Sequence, residues 1–378
     1  MGTDVDIDVI VVGAGPVGLL LAGGLRAAGA RTLVLERRAA PMDESRASTL
    51  NARTMEVLAE LGALSRLGGL PREPRGHFGG LPLDLGAVGG TPYPGQWKIP
   101  QTELEARFGA WLADLGVPVR RGAAAEALEQ DATGVTVTAS DGTVVRGSYV
   151  VGCDGVGSTV RALAGIAFPG RAASRELLRA DVRGIDVRDR RFERLPAGLA
   201  IAATRDGVTR LMTHAFGTPA RDREGPPDFA EFAATWERVT GEDVSGGEPL
   251  WCDAFGDASR LAERYRAGRV LLAGDAAHEQ MPVGGQALNL GLQDAAALVP
   301  RLAAVVAGTA GDTVLDAYAA GRHAVGARVQ RDVEAQTLLL LGGPEVTPVR
   351  TVLAELLERP PAAEFLAAGV SGVAEGVR

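Results

Sequence analysis

The sequence predicts an α/β (α+β) fold: a Rossmann-like parallel-sheet domain, interrupted by an inserted mixed β-sheet domain and followed by a C-terminal helical segment. Three observations carry this. Residues 9–12 form an apolar run that meets Gly13-Ala14-Gly15-Pro16-Val17-Gly18 and then an apolar, helix-like stretch to about residue 28. Residues 149–152 form a second run, ending on Cys153-Asp154-Gly155. Residues 270–273 form a third, ending on Gly274-Asp275. Short apolar runs bounded by glycine read as buried strands, and open α/β sheets bind ligands at strand carboxyl ends, where each run stops.

Composition bounds the class. A chain of 378 residues exceeds one typical core, so two domains or one large domain with insertions are expected. The net charge of −8 gives no reason to expect nucleic acid or an anionic membrane as partner. Cys153 and Cys252 are far apart and form no CxxC, so neither a disulfide framework nor a metal site is implied and a reducing cytoplasm is expected. Asp4, Asp6 and Asp8 have the wrong sign for a signal peptide, and Gly13, Gly15, Pro16 and Gly18 break the first apolar run too early for a membrane span. Lys98 is the only lysine, which with abundant Ala and Gly reads as the codon bias of a GC-rich genome.

In chain order, the first strand, the glycine loop and the helix after it lead to a strand at 32–35 that ends on Glu36. This is the dinucleotide fingerprint in context: glycines for a tight turn and close approach to a pyrophosphate, and an acid for ribose hydroxyls. A carboxylate repels a 2′-phosphate, so Glu36 fits FAD or NAD better than NADP here. Of Arg37, Arg38, Arg46 and Arg53, some are suited to neutralise a pyrophosphate, whereas Arg38 reads as solvated. A helix over 53–65 buries Val57, Leu58, Leu61 and Leu64. Glycine and proline crowd residues 70–100, where His77 and Phe78 suggest a short strand. A helix after Gln101 buries Leu104, Phe108, Trp111, Leu112 and Leu115. Strands are expected at 117–120, 124–128, 135–139 and 143–146, with an Asp141-Gly142 turn. Arg161, after the Asp154-Gly155 corner, makes that corner favourable to an anion or ribose.

The insertion reads as a hairpin of strands at 198–204 and 208–216, a helix over 229–240 and a strand at 251–255. Met212, His214 and Phe216 share one face, core at Phe216 and open to a planar ligand at His214. After Asp275, Pro282-Val283-Gly284-Gly285-Gln286 is a turn, and a helix from 287 brings backbone N–H groups toward negative charge. Pro300 should kink or restart that helix, and a helical tail runs through 338–341 and 352–357.

Together GAGPVG, CDGVGSTVR and GDAAHEQMPVGGQALNLGLQD resemble, in order and spacing, the single-component FAD-dependent aromatic hydroxylases, the para-hydroxybenzoate-hydroxylase-like class. GHFGG, ASREL and WCDAFGD look most like hydroxylases of angucycline and anthracycline polyketides. The resemblance implies a GR2-type FAD-binding domain over 1–72, 100–172 and 266–325, a substrate domain over 73–99 and 173–265, and a helical segment over 326–378. It implies that Gly13, Gly15 and Gly18, with Val12, Pro16 and Val17, lie against the FAD pyrophosphate. Glu36 would hold the adenosine ribose, Arg37 and Ala125 the adenine, and Arg46 and Gln101 the phosphates and sugar. Asp154 and Gly155 belong to a motif that meets both FAD and NAD(P)H. Gly274 and Asp275 would meet the ribitol, Pro282 the isoalloxazine, and backbone from Gly284 and Gly285 through Ala287, Leu288 and Asn289 its pyrimidine edge. His77, Met212, His214, Met281 and Pro282 would meet substrate.

The implied activity is hydroxylation of a polycyclic aromatic polyketide in antibiotic biosynthesis, using NADPH or NADH and O₂ through a flavin C4a-hydroperoxide, with no catalytic side chain assigned. Baeyer–Villiger or quinone-forming oxidation, and a non-catalytic flavin-binding partner of a biosynthetic complex, are the alternatives; a homodimer is compatible with the chain. The class has Pro where this chain has Met281 and Gly where it has Ala287, which requires negative φ at Ala287. The class's polyketide members carry a thioredoxin-like C-terminal domain, for which 378 residues leave no room.

Overall fold

In the computed structural model, which describes residues 7–44 and 47–374, the strand Ile7–Val12 lies at the centre of a sheet. It pairs in parallel with Thr32–Glu36 on one side and Val144–Gly152 on the other. Val119–Arg121 extends the sheet beyond the former and Val270–Leu272 beyond the latter, again in parallel. A parallel sheet is covered on both faces, which is why these strands read as unbroken apolar runs without alternation. All five carboxyl ends therefore point to one edge. The expected strands at 143–146 and 149–152 are one strand, Val144–Gly152: its first half pairs antiparallel with Val135–Ala139 and its second half parallel with the central strand.

Helix Pro16–Ala27 starts with proline directly after the glycine loop, where a missing N–H does no harm. It is wedged between Gln101–Asp114 and Gln286–Val306 by two glycines. A Cβ on Gly23 would stand 2.4 Å from the Trp111 ring, and one on Gly24 2.8 Å from Val299. Pro300 does not restart its helix; Gln286–Val306 is continuous through it. One hydrogen bond is lost there, while buried Leu298, Val299 and Leu302 hold the turns on either side. Helices Thr313–Leu341, Thr347–Leu357 and Pro360–Val370 follow. Among the described residues no helix is long and apolar enough to cross a membrane.

The insertion forms a five-stranded sheet in the order Arg190–Leu195, Gly198–Arg205, Val208–Ala215, Glu176–Arg183, Glu248–Gly256, each neighbouring pair antiparallel. Sequence reasoning misses Glu176–Arg183 and Arg190–Leu195, because buried charges break their apolar pattern. Glu176 is neutralised by Arg223 at 2.7 Å, and the Arg179 guanidinium lies 4.4 Å from the Trp251 ring centre. Helix Phe229–Thr240 covers one face with Phe232 and Trp236. The other face meets an apolar cluster shared with Thr313–Leu341. Hairpin Arg75–Phe78 and Leu81–Asp84 does not join this sheet and packs on Pro360–Val370.

Gly23→Ala should lower the unfolding free energy by about 1–3 kcal/mol in urea denaturation, because its methyl enters the Trp111 ring. An unchanged midpoint would mean that this helix contact is looser than described.

Candidate cofactor site

A cavity of about 520 Å³ opens along the carboxyl edge of the parallel sheet, within the range of small-molecule sites. It gathers Val12, Gly13, Gly15, Pro16, Val17, Glu36, Arg37, Gln101, Ala125, Asp154, Gly155, Asp275, Pro282, Ala287 and Leu288 from the residues singled out above. Gly18, Gly274, Gly284, Gly285, Asn289 and Met281 do not line it, and Arg46 lies outside the described residues.

Two glycines of the first corner serve the fold. Gly13 has φ +108°, and a Cβ there would stand 2.3 Å from the Cys153 carbonyl oxygen. A Cβ on Gly18 would stand 2.0 Å from the Gly13 oxygen. Gly15 is different. Its φ of −75° suits any residue, and an added Cβ would meet nothing within 4 Å. Glu36 receives the Ala14 N–H at 2.6 Å and the Arg38 N–H at 2.8 Å, so the acid at the second strand end also shapes the loop of the first. Register places Arg121 opposite Glu36, and Arg121 lines the cavity with Arg37 and Arg38. Arg38 is exposed, as the sequence suggests, yet belongs to this cationic rim.

The second corner departs from expectation. Asp154 accepts from the Ser158 hydroxyl at 2.5 Å and the Val160 N–H at 3.1 Å, which fixes the turn into helix Thr159–Leu163. Arg161 is buried and donates to the Val156 and Ala276 carbonyls at 2.7 and 2.9 Å. It binds the second corner to the third; it does not offer its charge to an anion.

The third corner depends on Asp294, which is fully buried. Its Oδ2 accepts the Gly274 N–H at 3.1 Å and lies 2.8 Å from His278 Nε2, while Oδ1 accepts from Arg322 Nε at 2.6 Å. Burial alone would raise the Asp294 pKa, but Arg322 and His278 beside it hold it below the ordinary carboxylate value. Gly274, at φ +66°, then turns Asp275 out to the cavity, where it is exposed. The glycine turn that follows places Gly284 and Gly285 at φ +65° and +71°. No side chain caps the helix that starts at Gln286; its Gln286 N–H turns back to the Val283 carbonyl, and Ala287 and Leu288 of the same first turn line the cavity. The Asn289 side chain is committed to the protein, accepting from Asn51 N and donating to the Thr49 and Gly285 carbonyls. Ala287 lies inside the helix, which meets the requirement of negative φ.

The substrate set divides. Met212 and Met281 pack in the apolar cluster between the five-stranded sheet and Thr313–Leu341, together with Phe255. Phe255 also lines the cavity and so links the two. His77 is buried outside the cavity, accepting from Gly80 N at 3.2 Å, its ring centre 3.9 Å from that of Phe192; burial pushes its pKa down to about 4. His214 is also buried, its Nδ1 2.8 Å from the Glu176 carbonyl, and does not line this cavity. Sequence reasoning missed Arg121 and Gln280. Register beside Glu36 was the available signal for the first. For the second there was none: Gln280 lines the cavity with its amide nitrogen and oxygen buried and unpartnered among the described residues.

Asp294→Ala leaves Arg322 buried without its anion and should destabilise the apoprotein by about 3–5 kcal/mol in urea denaturation. The lowered pKa gives the sign of the pH effect. The stabilisation is present above about pH 4 and lost as pH falls through the lower folded value, a loss the variant should lack. Equal stability of variant and parent at neutral pH would remove Asp294 from this role.

Residues 6–333 match the family described as FAD binding domain. The chain is 42% identical to a rifampicin monooxygenase of Streptomyces venezuelae over 366 residues, covering 93% of this chain and 75% of that one. It is 41% identical over 391 residues to a 12-dehydrotetracycline 5-monooxygenase/anhydrotetracycline 6-monooxygenase of Streptomyces rimosus subsp. rimosus, covering 97% and 76%. The structure of CabE, an aromatic hydroxylase from angucycline biosynthesis, superposes with a TM-score of 0.92 at 45% identity, over 97% of this chain and 76% of that one. The chain belongs to the FAD binding domain family, among its flavin-dependent monooxygenases.

Proposed function

We propose that this protein hydroxylates a polycyclic aromatic polyketide in antibiotic biosynthesis, using FAD, NAD(P)H and O₂. The observation that carries this reading is one cavity joining a dinucleotide corner to an apolar wall at Phe255 and Pro282. The residues fit FAD. Among the described residues, an added Cβ at Gly15 would meet nothing within 4 Å and the Gln280 amide has no partner.

In this reading the loop from Gly13 to Gly18 holds the pyrophosphate, Glu36 the adenosine ribose, and Arg37, Arg38 and Arg121 the negative charge between them. Asp275, turned into the cavity, holds the ribitol, its carboxyl accepting from a hydroxyl. Pro282 flanks the ring system, and the N–H groups that open helix Gln286–Val306 meet its pyrimidine edge. Residues 1–72, 100–172 and 266–325 form the flavin domain, 73–99 and 173–265 carry the substrate side, and 326–378 close it. When bound, FAD supplies the oxygen-activating chemistry. The protein orients the aromatic ring, keeps water out and stabilises charge. Baeyer–Villiger or quinone-forming oxidation and a purely binding role have no observation of their own in this site.

Gly15→Ala separates site from fold. Its FAD affinity should fall at least about tenfold, roughly 1.4 kcal/mol, while the unfolding midpoint of the apoprotein stays unchanged. Unaltered FAD affinity would place the pyrophosphate elsewhere. The activity is tested by supplying ¹⁸O₂, FAD, NADPH and a tetracyclic aromatic polyketide, with one ¹⁸O expected per product molecule. Product oxygen drawn from water, or NADPH oxidised without product across such substrates, would contradict hydroxylation.

A further inference from the structure

Among 39 lysines and arginines, Lys98 is the single lysine. It lies on strand Gln96–Lys98, opposite Thr49 of the antiparallel strand Thr49–Asn51. Its ammonium donates to the Thr49 hydroxyl at 2.9 Å and the Gln96 amide oxygen at 3.0 Å. Both partners are neutral. Burial lowers its pKa, Glu73 opposes this and Arg191 adds to it. On its far side Thr49 touches the start of the long helix: its carbonyl accepts from Asn289 at 2.9 Å, and a Cβ on Gly285 would stand 3.3 Å from the Thr49 Cβ. One threonine thus separates a half-buried cation from the N-terminus of a helix whose first turn, at Ala287 and Leu288, lines the cavity.

We propose that Lys98 is an electrostatic positioning residue for the flavin ring, stabilising the negative charge that the ring gains on reduction. This rests on the proposed seat of the pyrimidine edge at residues 284–289. A hydride from NAD(P)H carries two electrons and one proton, so its arrival leaves one added negative charge on the ring system. Lys98, reinforcing the helix N-terminus through Thr49, favours that charged state over the neutral oxidised one.

The test uses the full chain loaded with FAD. Lys98→Gln keeps a donor to Thr49 and removes the charge. Oxidised FAD should bind this variant within about twofold of the parent, read by flavin fluorescence. Its reduced-to-oxidised affinity ratio should fall about tenfold, which is about 30 mV for a two-electron couple, read against a reference dye during xanthine oxidase reduction. Lys98→Arg should restore most of the ratio. Cyanate carbamylation of the folded parent, which has no other lysine side chain, should produce the same shift without a substitution and covers the case of a poorly folding variant. An unchanged potential in both the charge-free variant and the carbamylated parent overturns the proposal while leaving the flavin site intact. Loss of oxidised-FAD binding in both overturns it too, since Lys98 would then serve binding and not charge. A parent protein that binds no FAD would instead reject the site itself.

Discussion

Asp294 is a carboxylate sealed from water, with a backbone amide, an imidazole and a guanidinium as its partners. Such an ion is tolerable only when every bond around it is made, so it leaves little freedom to what it touches. It touches the Gly274 amide, which sets where the third strand ends. It touches Arg322 of Thr313–Leu341, which presses the C-terminal helices against the long helix Gln286–Val306. That helix also packs on the fingerprint helix through Gly24 and Val299, and Asn289 ties it to the strand Thr49–Asn51. The direction of Asp275 and the helix start that faces the cavity both follow from this one buried charge.

The three strand-end corners are coupled to one another as well as converging on the cavity. Glu36 binds the loop of the first corner. Gly13 is pressed against Cys153 of the second, and Arg161 of the second bonds to Ala276 of the third. Polar side chains that face a ligand in a simple motif reading thus partly face each other. What remains for a ligand is mostly backbone at Gly15 and at the helix start, with Asp275 and the arginine rim. A flat, extended, anionic cofactor is suited to such a surface, because its recognition requires close approach and fixed dipoles more than many side chains.

Legibility followed the distinction between local and tertiary causes. The parallel strands were legible because burial on both faces leaves unbroken apolar runs, and the corners because glycine and aspartate are demanded locally. Glu176–Arg183 was hidden because Arg223 and Trp251, distant in sequence, make its charges tolerable inside. Arg161 was misread as facing an anion because nothing nearby in sequence shows the Ala276 carbonyl that it serves. Of the residues expected at the cofactor, those of the fingerprint loop up to Val17, with Glu36 and Asp275, line the cavity, whereas Gly18, Gly274, Gly284, Gly285 and Asn289 do not. His77 and His214, expected to meet substrate from the GHFGG string and from strand-face alternation, are each buried with a partner of their own and do not line this cavity. Pro300 misled because a helix held by neighbours on both sides survives the loss of one bond.

In the proposed function these corners seat a flavin that a nicotinamide reduces. An anaerobic absorbance titration tests it most directly, adding FAD to the protein and then NADPH in the presence of a polycyclic aromatic polyketide. The expected result is a flavin spectrum perturbed by the protein and then bleached by stoichiometric NADPH. A spectrum identical to free FAD, or bound flavin that NADPH leaves oxidised with substrate present, would contradict it.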